Sequence, residues 1–119
     1  SDIEDIGQRN ENFIASHLLK AVNFWSDQGL GEYGLFYLRD KEKREVDFLI
    51  TKNHTPWFLV QVKHKDTSRI SRNLEIFQRL TKAQHAFQII TEMDYINVDC
   101  FSYNQPIIVP AKTLLSQLV

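Results

Sequence analysis

Residues 45–63, EVDFLITKNHTPWFLVQVK, contain two runs of aromatic, β-branched and aliphatic residues on either side of a polar break from Lys52 to Pro56. Such runs, bounded by turn-forming residues, are typical of two neighbouring strands. Side chains alternate between the faces of a strand, so every second residue is predicted to share a face. The two predicted sets in the first strand are Val46, Phe48 and Ile50, and Glu45, Asp47 and Leu49.

The apolar faces of the two strands limit how the strands pair, because a slip of one residue would exchange the faces. One allowed antiparallel register sets Phe48 opposite Val60 and Asp47 opposite Gln61, with a five-residue loop closing the hairpin. In that loop arrangement Thr51 faces Trp57. A shift of two residues fits the same pattern and would loosen the contact between Asp47 and Gln61.

The flanking sequence predicts helices and further strands. A helical stripe runs from Gly7 to Trp25, and a second follows the predicted hairpin. The first stripe contains Glu11, Ile14, Leu18, Val22 and Trp25, and the second contains Ile70, Leu74, Phe77 and Leu80. The other predicted elements are strands at 33–39, 85–91 and 106–109 and a helix at 111–118. The predicted fold is α/β (α+β), in the order α-β-β-β-α-β with a short β-α tail, a mixed sheet flanked by helices.

Composition excludes several classes of protein. The 119 residues suit one domain, and 43% hydrophobic with 24% charged residues is ordinary for a globular chain. The formal net charge of −1 gives no overall basic signature for nucleic acid. The single cysteine, Cys100, excludes a disulfide within the chain and a cysteine-rich zinc site. Apolar runs fall far short of the ~20 residues that span a bilayer, so we expect a cytoplasmic protein without a membrane partner.

The side chains of Asp47, Gln61 and Lys63 converge in the first register, because opposed residues have Cβ atoms about 5 Å apart. Hydrolysis of a phosphodiester requires a hard cation, a positioned water and charge stabilisation. Asp47 and the carbonyl of Gln61 offer oxygen ligands of the kind that Mg²⁺ prefers. Lys63 would orient or deprotonate the attacking water, and Glu11 would be an outer ligand if its helix packs over the site.

The ordered set Glu11, Asp47 and Gln61-Val62-Lys63 resembles the motif of the PD-(D/E)XK nuclease superfamily. That family has a Glu on its first helix, an Asp on its second strand and an (Asp/Glu)-x-Lys on its third. More closely, the chain resembles the nuclease-like C-terminal domain of prokaryotic AAA+-type ATPases. The segments that carry this resemblance are 7–12, 44–50, 59–63, 82–90 and 98–101.

This resemblance implies that residues 1–119 form a single nuclease-like domain, a C-terminal fragment of a larger ATPase. The implied metal ligands are Asp47, Gln61 and Glu11, the implied cofactor is Mg²⁺ or Mn²⁺, and the implied partners are DNA and the ATPase domain. The basic residues Lys65, Arg69 and Arg72 are candidates for binding phosphates. The sequence has no GxxxxGK[ST] motif, so no ATP site is expected within it.

One departure from the family motif bears on activity. Gln61 stands where the family has Asp or Glu, which removes one negative charge from the site, although the Mrr-like nucleases also carry Gln-x-Lys. Two other interpretations remain open: Asp47 and Lys63 form only an ion pair across the strands, and Glu11 is a solvated residue. The alternative function is a catalytically inactive module that binds nucleic acid or protein and regulates the ATPase.

Overall fold

The computed structural model describes the backbone of residues 2–119 and the side chains of residues 5–119. The helices are α1 (Asp2–Asp27), α2 (Arg72–Thr81) and α3 (Ala111–Ser116). The strands are β1 (Tyr33–Arg39), β2 (Glu45–Lys52), β3 (Thr55–Lys63), β4 (His85–Ile90) and β5 (Ile107–Pro110). This order confirms the predicted α-β-β-β-α-β arrangement with its β-α tail.

The five strands form one mixed sheet in the order β1-β2-β3-β4-β5. The first three strands are antiparallel neighbours, whereas β3 pairs with β4, and β4 with β5, in parallel. A parallel pair needs a crossover connection, which α2 supplies between β3 and β4. The sheet therefore changes from antiparallel to parallel at β3, the strand that carries Gln61 and Lys63.

Helices cover both faces of the sheet. On one face α1 packs against β1, β2 and β3, and α3 packs against β4 and β5. On the other face α2 packs against β2, β3 and β4. The predicted stripe of α1 is buried at Ile14, Leu18, Val22 and Trp25. In the described part of the chain, none of the helices combines the length and the apolar character that a membrane span needs.

The β2–β3 pairing has the predicted register at its centre and a different turn at its end. Phe48 lies opposite Val60, as predicted. The predicted five-residue loop is wrong, because Thr51 pairs with Pro56 rather than with Trp57, and Lys52 pairs with Thr55. Only Asn53 and His54 remain in the turn, both with positive φ (52° and 67°), as a two-residue hairpin turn of the primed type requires.

A bulge in β2 overturns the predicted sharing of faces. Phe36 pairs with Leu49 and Leu38 with Val46, so three steps along β2 match two steps along β1. An extra residue in one strand shifts the alternation of side chains past it. Val46 therefore packs in the core against α2, whereas Phe48 packs in the core against α1.

The predicted stripe of α2 is right for Leu74 and Phe77, which are buried, and wrong for Leu80, which is 64% exposed. Each helical residue advances by about 100°, so Leu80 lies about 120° away from Leu74 around the helix axis. A core-facing stripe is about 100° wide. Leu80 therefore falls outside the face that contacts the sheet.

Replacement of Leu74 by Ala should lower the free energy of unfolding by about 2–5 kcal/mol, because a fully buried side chain leaves a cavity. Replacement of Leu80 by Ala on the same helix should change it by less than about 0.5 kcal/mol. Urea denaturation followed by circular dichroism measures both variants. Equal losses in the two variants would contradict the packing of α2 described above.

A candidate metal centre at the ends of β2 and β3

The Asp47 carboxylate lies where the β2–β3 ladder stops. The last paired residues before it are Phe48 and Val60. Beyond them, the backbone N–H of Val62 donates to Oδ2 of Asp47 at 2.7 Å. The side chain of Asp47 thus satisfies a donor of β3 and holds the two strands together at the point where they diverge.

Gln61 makes the second contact with Asp47. Its Nε2 donates to the same Oδ2 atom at 2.9 Å. The other end of the amide, Oε1, is inaccessible to solvent and has no hydrogen-bond partner among the described side chains and backbone. Such orphaned acceptors are rare in folded proteins and often coincide with functional sites.

Glu11 on α1 is the third residue near the carboxylate of Asp47. It lies one turn before Ile14 on α1, and its side chain is half-buried and within hydrogen-bonding reach of Asp47. α1 packs across β1, β2 and β3, which brings this turn of the helix over the end of β2. The structure therefore brings together Glu11, Asp47 and Gln61, three of the four residues that the sequence motif singled out.

Burial, with a smaller contribution from the neighbouring Glu11, raises the pKa of Asp47 to about 6. The Val62 N–H and the positive charge of Lys63 act in the opposite direction, since both favour the ionised carboxylate. A partly buried carboxyl group whose ionised form is disfavoured gains stability from a positive charge placed beside it. The surroundings of Asp47 therefore favour a bound cation as well as a bound proton.

Lys63 is the last residue of β3, and its side chain is exposed. Its ammonium group is close enough to Asp47 to stabilise the charged carboxylate. Among residues 5–119, the structure shows no ion pair between Lys63 and Asp47. Lys63 thus stands beside the carboxylate with its charge free to reach a ligand.

A cleft of about 260 Å³ opens beside Asp47 between α1 and the β1–β2 edge. Its floor contains Glu11, Asp47 and Phe48, and Tyr37 at its rim is 76% exposed. Its remaining lining residues are Gln8, Asn12, Leu38, Arg39, Glu45 and Val46. Gln61 and Lys63 do not line the cleft, so the two halves of the candidate site meet at Asp47.

The sequence analysis did not predict that Tyr37 lines the cleft, nor that His64 joins a network of hydrogen bonds. Asn10 on α1 donates to Thr91 Oγ1 at 3.1 Å and lies 3.2 Å from His64 Nδ1. His64 Nε2 lies 3.0 Å from Glu92 Oε1. These contacts fasten α1 to the ends of β3 and β4, directly after Lys63. No local signal shows them, because the partners are up to 81 positions apart.

The candidate phosphate-binding residues Lys65, Arg69 and Arg72 are all exposed, and none of them lines the cleft. They lie on the segment between β3 and the first turn of α2. The fully buried Gln88 fixes this segment. Its Nε2 donates to the carbonyl of Arg69, and its Oε1 accepts from the N–H of Ser71, both at 2.7 Å.

The donor set suits a hard divalent cation. Two carboxylates and one amide carbonyl offer only oxygen, which Mg²⁺ and Mn²⁺ prefer to nitrogen or sulfur. In the structure Nε2 of Gln61 faces Asp47, and the unpartnered Oε1 lies at the other, buried end of the amide. Among the residues whose side chains are described, no three His, Cys, Asp or Glu residues cluster around a common metal position. A metal site beside Asp47 and Glu11 would therefore need Gln61 as its third protein ligand.

The free energy of unfolding should fall as the pH rises from about 4 to about 7, by about 1–3 kcal/mol in the absence of metal. Asp47 has a folded-state pKa of about 6, above its ordinary value of 3.8, so the unfolded chain loses this proton first. Asp47→Asn should remove most of this slope. Urea denaturation with a chelator at several pH values measures it.

The matched control is Asp94→Asn, which removes an exposed carboxylate that does not line the cleft. This variant should retain the pH dependence of the unsubstituted chain. A slope that persists in Asp47→Asn, or a slope of opposite sign in the unsubstituted chain, would show that another group controls stability in this pH range.

Comparison with known proteins places the chain in a family. No curated protein and no solved structure matches it. The resemblance to the PD-(D/E)XK nucleases and to the ATPase C-terminal domain therefore stays a prediction. The sequence profile described as "Domain of unknown function (DUF4143)" matches residues 6–111, which is most of the chain. The chain belongs to the DUF4143 family.

Proposed function

We propose that this chain is a metal-dependent nuclease-like domain that acts on DNA and works beside an AAA+-type ATPase in the same polypeptide. The observation that carries the proposal is the contact between Asp47 and Gln61, with Glu11 beside them and Lys63 at the end of the same strand. The four side chains come from α1, β2 and β3 in the order that the nuclease motif has.

Asp47, Glu11 and Gln61 would hold Mg²⁺ or Mn²⁺. A bound divalent cation neutralises charge on the scissile phosphate and makes a water molecule more acidic. The protein fixes Asp47 through the Val62 N–H, so this carboxylate does not need to be ordered when the cation arrives. Glu11 approaches from α1, on the side of the cleft, where it would orient a water molecule.

Lys63 would act on the phosphate rather than on the cation. Its exposed ammonium group can donate hydrogen bonds to a non-bridging phosphate oxygen, where negative charge grows during attack. The same group can position the attacking water. The position of Lys63 at the carboxyl end of β3, next to the parallel strand β4, matches the edge at which sheets of this kind bind ligands.

The segment that contains Lys65 and Arg69, with Arg72 at the start of α2, would bind the DNA backbone. Its three cations are exposed, and Gln88 fixes the end of the segment by two hydrogen bonds to its backbone. Phosphate contacts from such residues position a duplex without reading its sequence. The structure thus supports binding to DNA of any sequence.

The alternative is a catalytically inactive module that regulates the ATPase by binding nucleic acid or protein. The observation that favours it is the amide of Gln61, which already donates to Asp47 and so satisfies the carboxylate without a cation. In this alternative the basic segment still binds DNA, whereas Asp47 and Glu11 do not bind metal.

The unsubstituted chain should cut DNA in the presence of Mn²⁺, and Asp47→Ala and Lys63→Ala should each lower the rate at least about 100-fold, because each removes a charge that the transition state needs. Single-turnover cleavage of labelled single-stranded and double-stranded DNA measures the rate. Lys112→Ala is the matched control, since it removes an exposed cation from α3 outside the candidate site.

Equal cutting by all variants would identify a contaminating nuclease and overturn the assignment of the site. Absence of cutting by the unsubstituted chain, with and without the ATPase part of the polypeptide, would favour the inactive module. Isothermal titration with Mn²⁺ separates the two functions further, because only the nuclease requires binding that depends on Asp47.

DNA affinity should decrease as salt increases, and replacement of Lys65, Arg69 and Arg72 by Ala should weaken it. Each lost phosphate contact should reduce the slope of log K against log salt by about 0.9 for double-stranded DNA. Fluorescence anisotropy between about 50 and 200 mM salt measures this slope. An unchanged slope in the triple variant would place the DNA elsewhere on the surface.

A further inference from the structure

Two glutamine side chains lie side by side on β3 and β4 but differ in the number of hydrogen bonds that their amide groups make. Gln61 and Gln88 are direct partners in the parallel ladder. Both amide atoms of Gln88 have backbone partners, at Arg69 and Ser71. Gln61 has one partner, Asp47, and its Oε1 is the one buried side-chain N or O atom among residues 5–119 that lacks a hydrogen bond.

Only the end of the Gln61 amide that faces Asp47 has a hydrogen-bond partner, so this contact alone determines the orientation of the amide. A half-turn about the Cγ–Cδ bond exchanges Oε1 and Nε2 with little change in shape. In either orientation, one amide atom faces Asp47 and the other occupies the position without a partner. The buried end thus costs a hydrogen bond in both orientations, so the charge at the Asp47 end determines which orientation is more stable.

The Asp47 end favours opposite orientations in the two states of the site. An ionised carboxylate without a cation attracts the N–H group, as the 2.9 Å contact shows. A divalent cation beside the carboxylate repels the N–H group and attracts the carbonyl oxygen. A fixed Asp or Glu at this position would lack this choice, since a carboxylate can only accept hydrogen bonds unless it is protonated.

We propose that Gln61 is a two-position switch, which locks Asp47 through Nε2 in the absence of a cation and turns to ligate Mg²⁺ or Mn²⁺ through Oε1. This inference rests on the proposed metal site and adds its regulation. The lock lowers the affinity for the cation, because the hydrogen bond to Asp47 must be broken before the cation binds. A second source of oxygen ligands, such as a DNA phosphate, would add to the binding energy and so raise the affinity for the cation.

The test uses the whole chain, labelled with ¹³C and ¹⁵N, and a titration with Mg²⁺ followed by nuclear magnetic resonance. The side-chain carbonyl ¹³C and amide ¹⁵N signals of Gln61 report its orientation. We expect both signals to shift with the same saturation curve as the backbone signals around Asp47. The signals of Gln88 are the matched control and should stay in place, because both of its amide atoms remain bound to the backbone.

Two variants sharpen the test. Gln61→Glu replaces the amide with a negatively charged carboxylate, which cannot donate a hydrogen bond to Asp47. This variant should bind Mg²⁺ at least about tenfold more tightly. Gln61→Met keeps the length of the side chain but removes both the donor and the acceptor. It should release Asp47 yet bind Mg²⁺ no more tightly than the unsubstituted chain, because it also lacks the ligand.

The outcomes separate the switch from the metal site itself. Mg²⁺ binding that depends on Asp47 while the Gln61 signals stay in place would overturn the switch and leave the metal site intact. Mg²⁺ binding by Gln61→Glu alone would also overturn the switch, since the lock would then never open. No binding by either the unsubstituted chain or Gln61→Glu would overturn both the switch and the proposed nuclease function.

Discussion

The hydrogen bond from the Val62 N–H to Asp47 Oδ2 is the interaction on which the candidate site depends. A carboxylate at the end of a strand would normally turn to solvent, because burial of a charge is costly. Here the β2–β3 ladder ends at Phe48 and Val60, and the side chain of Asp47 accepts from the Val62 N–H beyond that end. The carboxylate is thereby held between the strands, where Gln61 and Glu11 reach it.

This arrangement affects both the stability of the fold and the affinity that the proposed metal site would have for a cation. Asp47 and Glu11 already place two carboxyl groups beside each other in a partly buried position, which raises the pKa of Asp47 to about 6. A third carboxylate at position 61 would add repulsion in the absence of metal and attraction in its presence. An amide at Gln61 avoids the repulsion and donates a hydrogen bond instead.

The order of elements and the Phe48–Val60 register could be predicted because both follow from hydrophobic periodicity. The bulge could not be predicted, because both faces of β2 are buried and Val46 suits the core beside α1 as well as the core beside α2. The positive φ of His54 could not be predicted either, since histidine is an unusual residue for a primed turn. The contact of Asp47 with Gln61 was nevertheless predictable, because the bulge interrupts the pairing of β2 with β1 and leaves the pairing of Phe48 with Val60 in place.

The cleft and the network around His64 show why the site is fixed in position. Asn10, Thr91 and His64 join α1 to the ends of two parallel strands, so Glu11, one residue after Asn10, cannot move away from Asp47 without breaking these contacts. Gln88 fixes the basic segment on the other face in the same way. Hydrogen bonds outside the site thus determine these positions, which leaves the charges of Asp47, Glu11 and Lys63 available for a ligand. In the proposed switch, the orientation of the Gln61 amide decides whether that ligand includes a divalent cation.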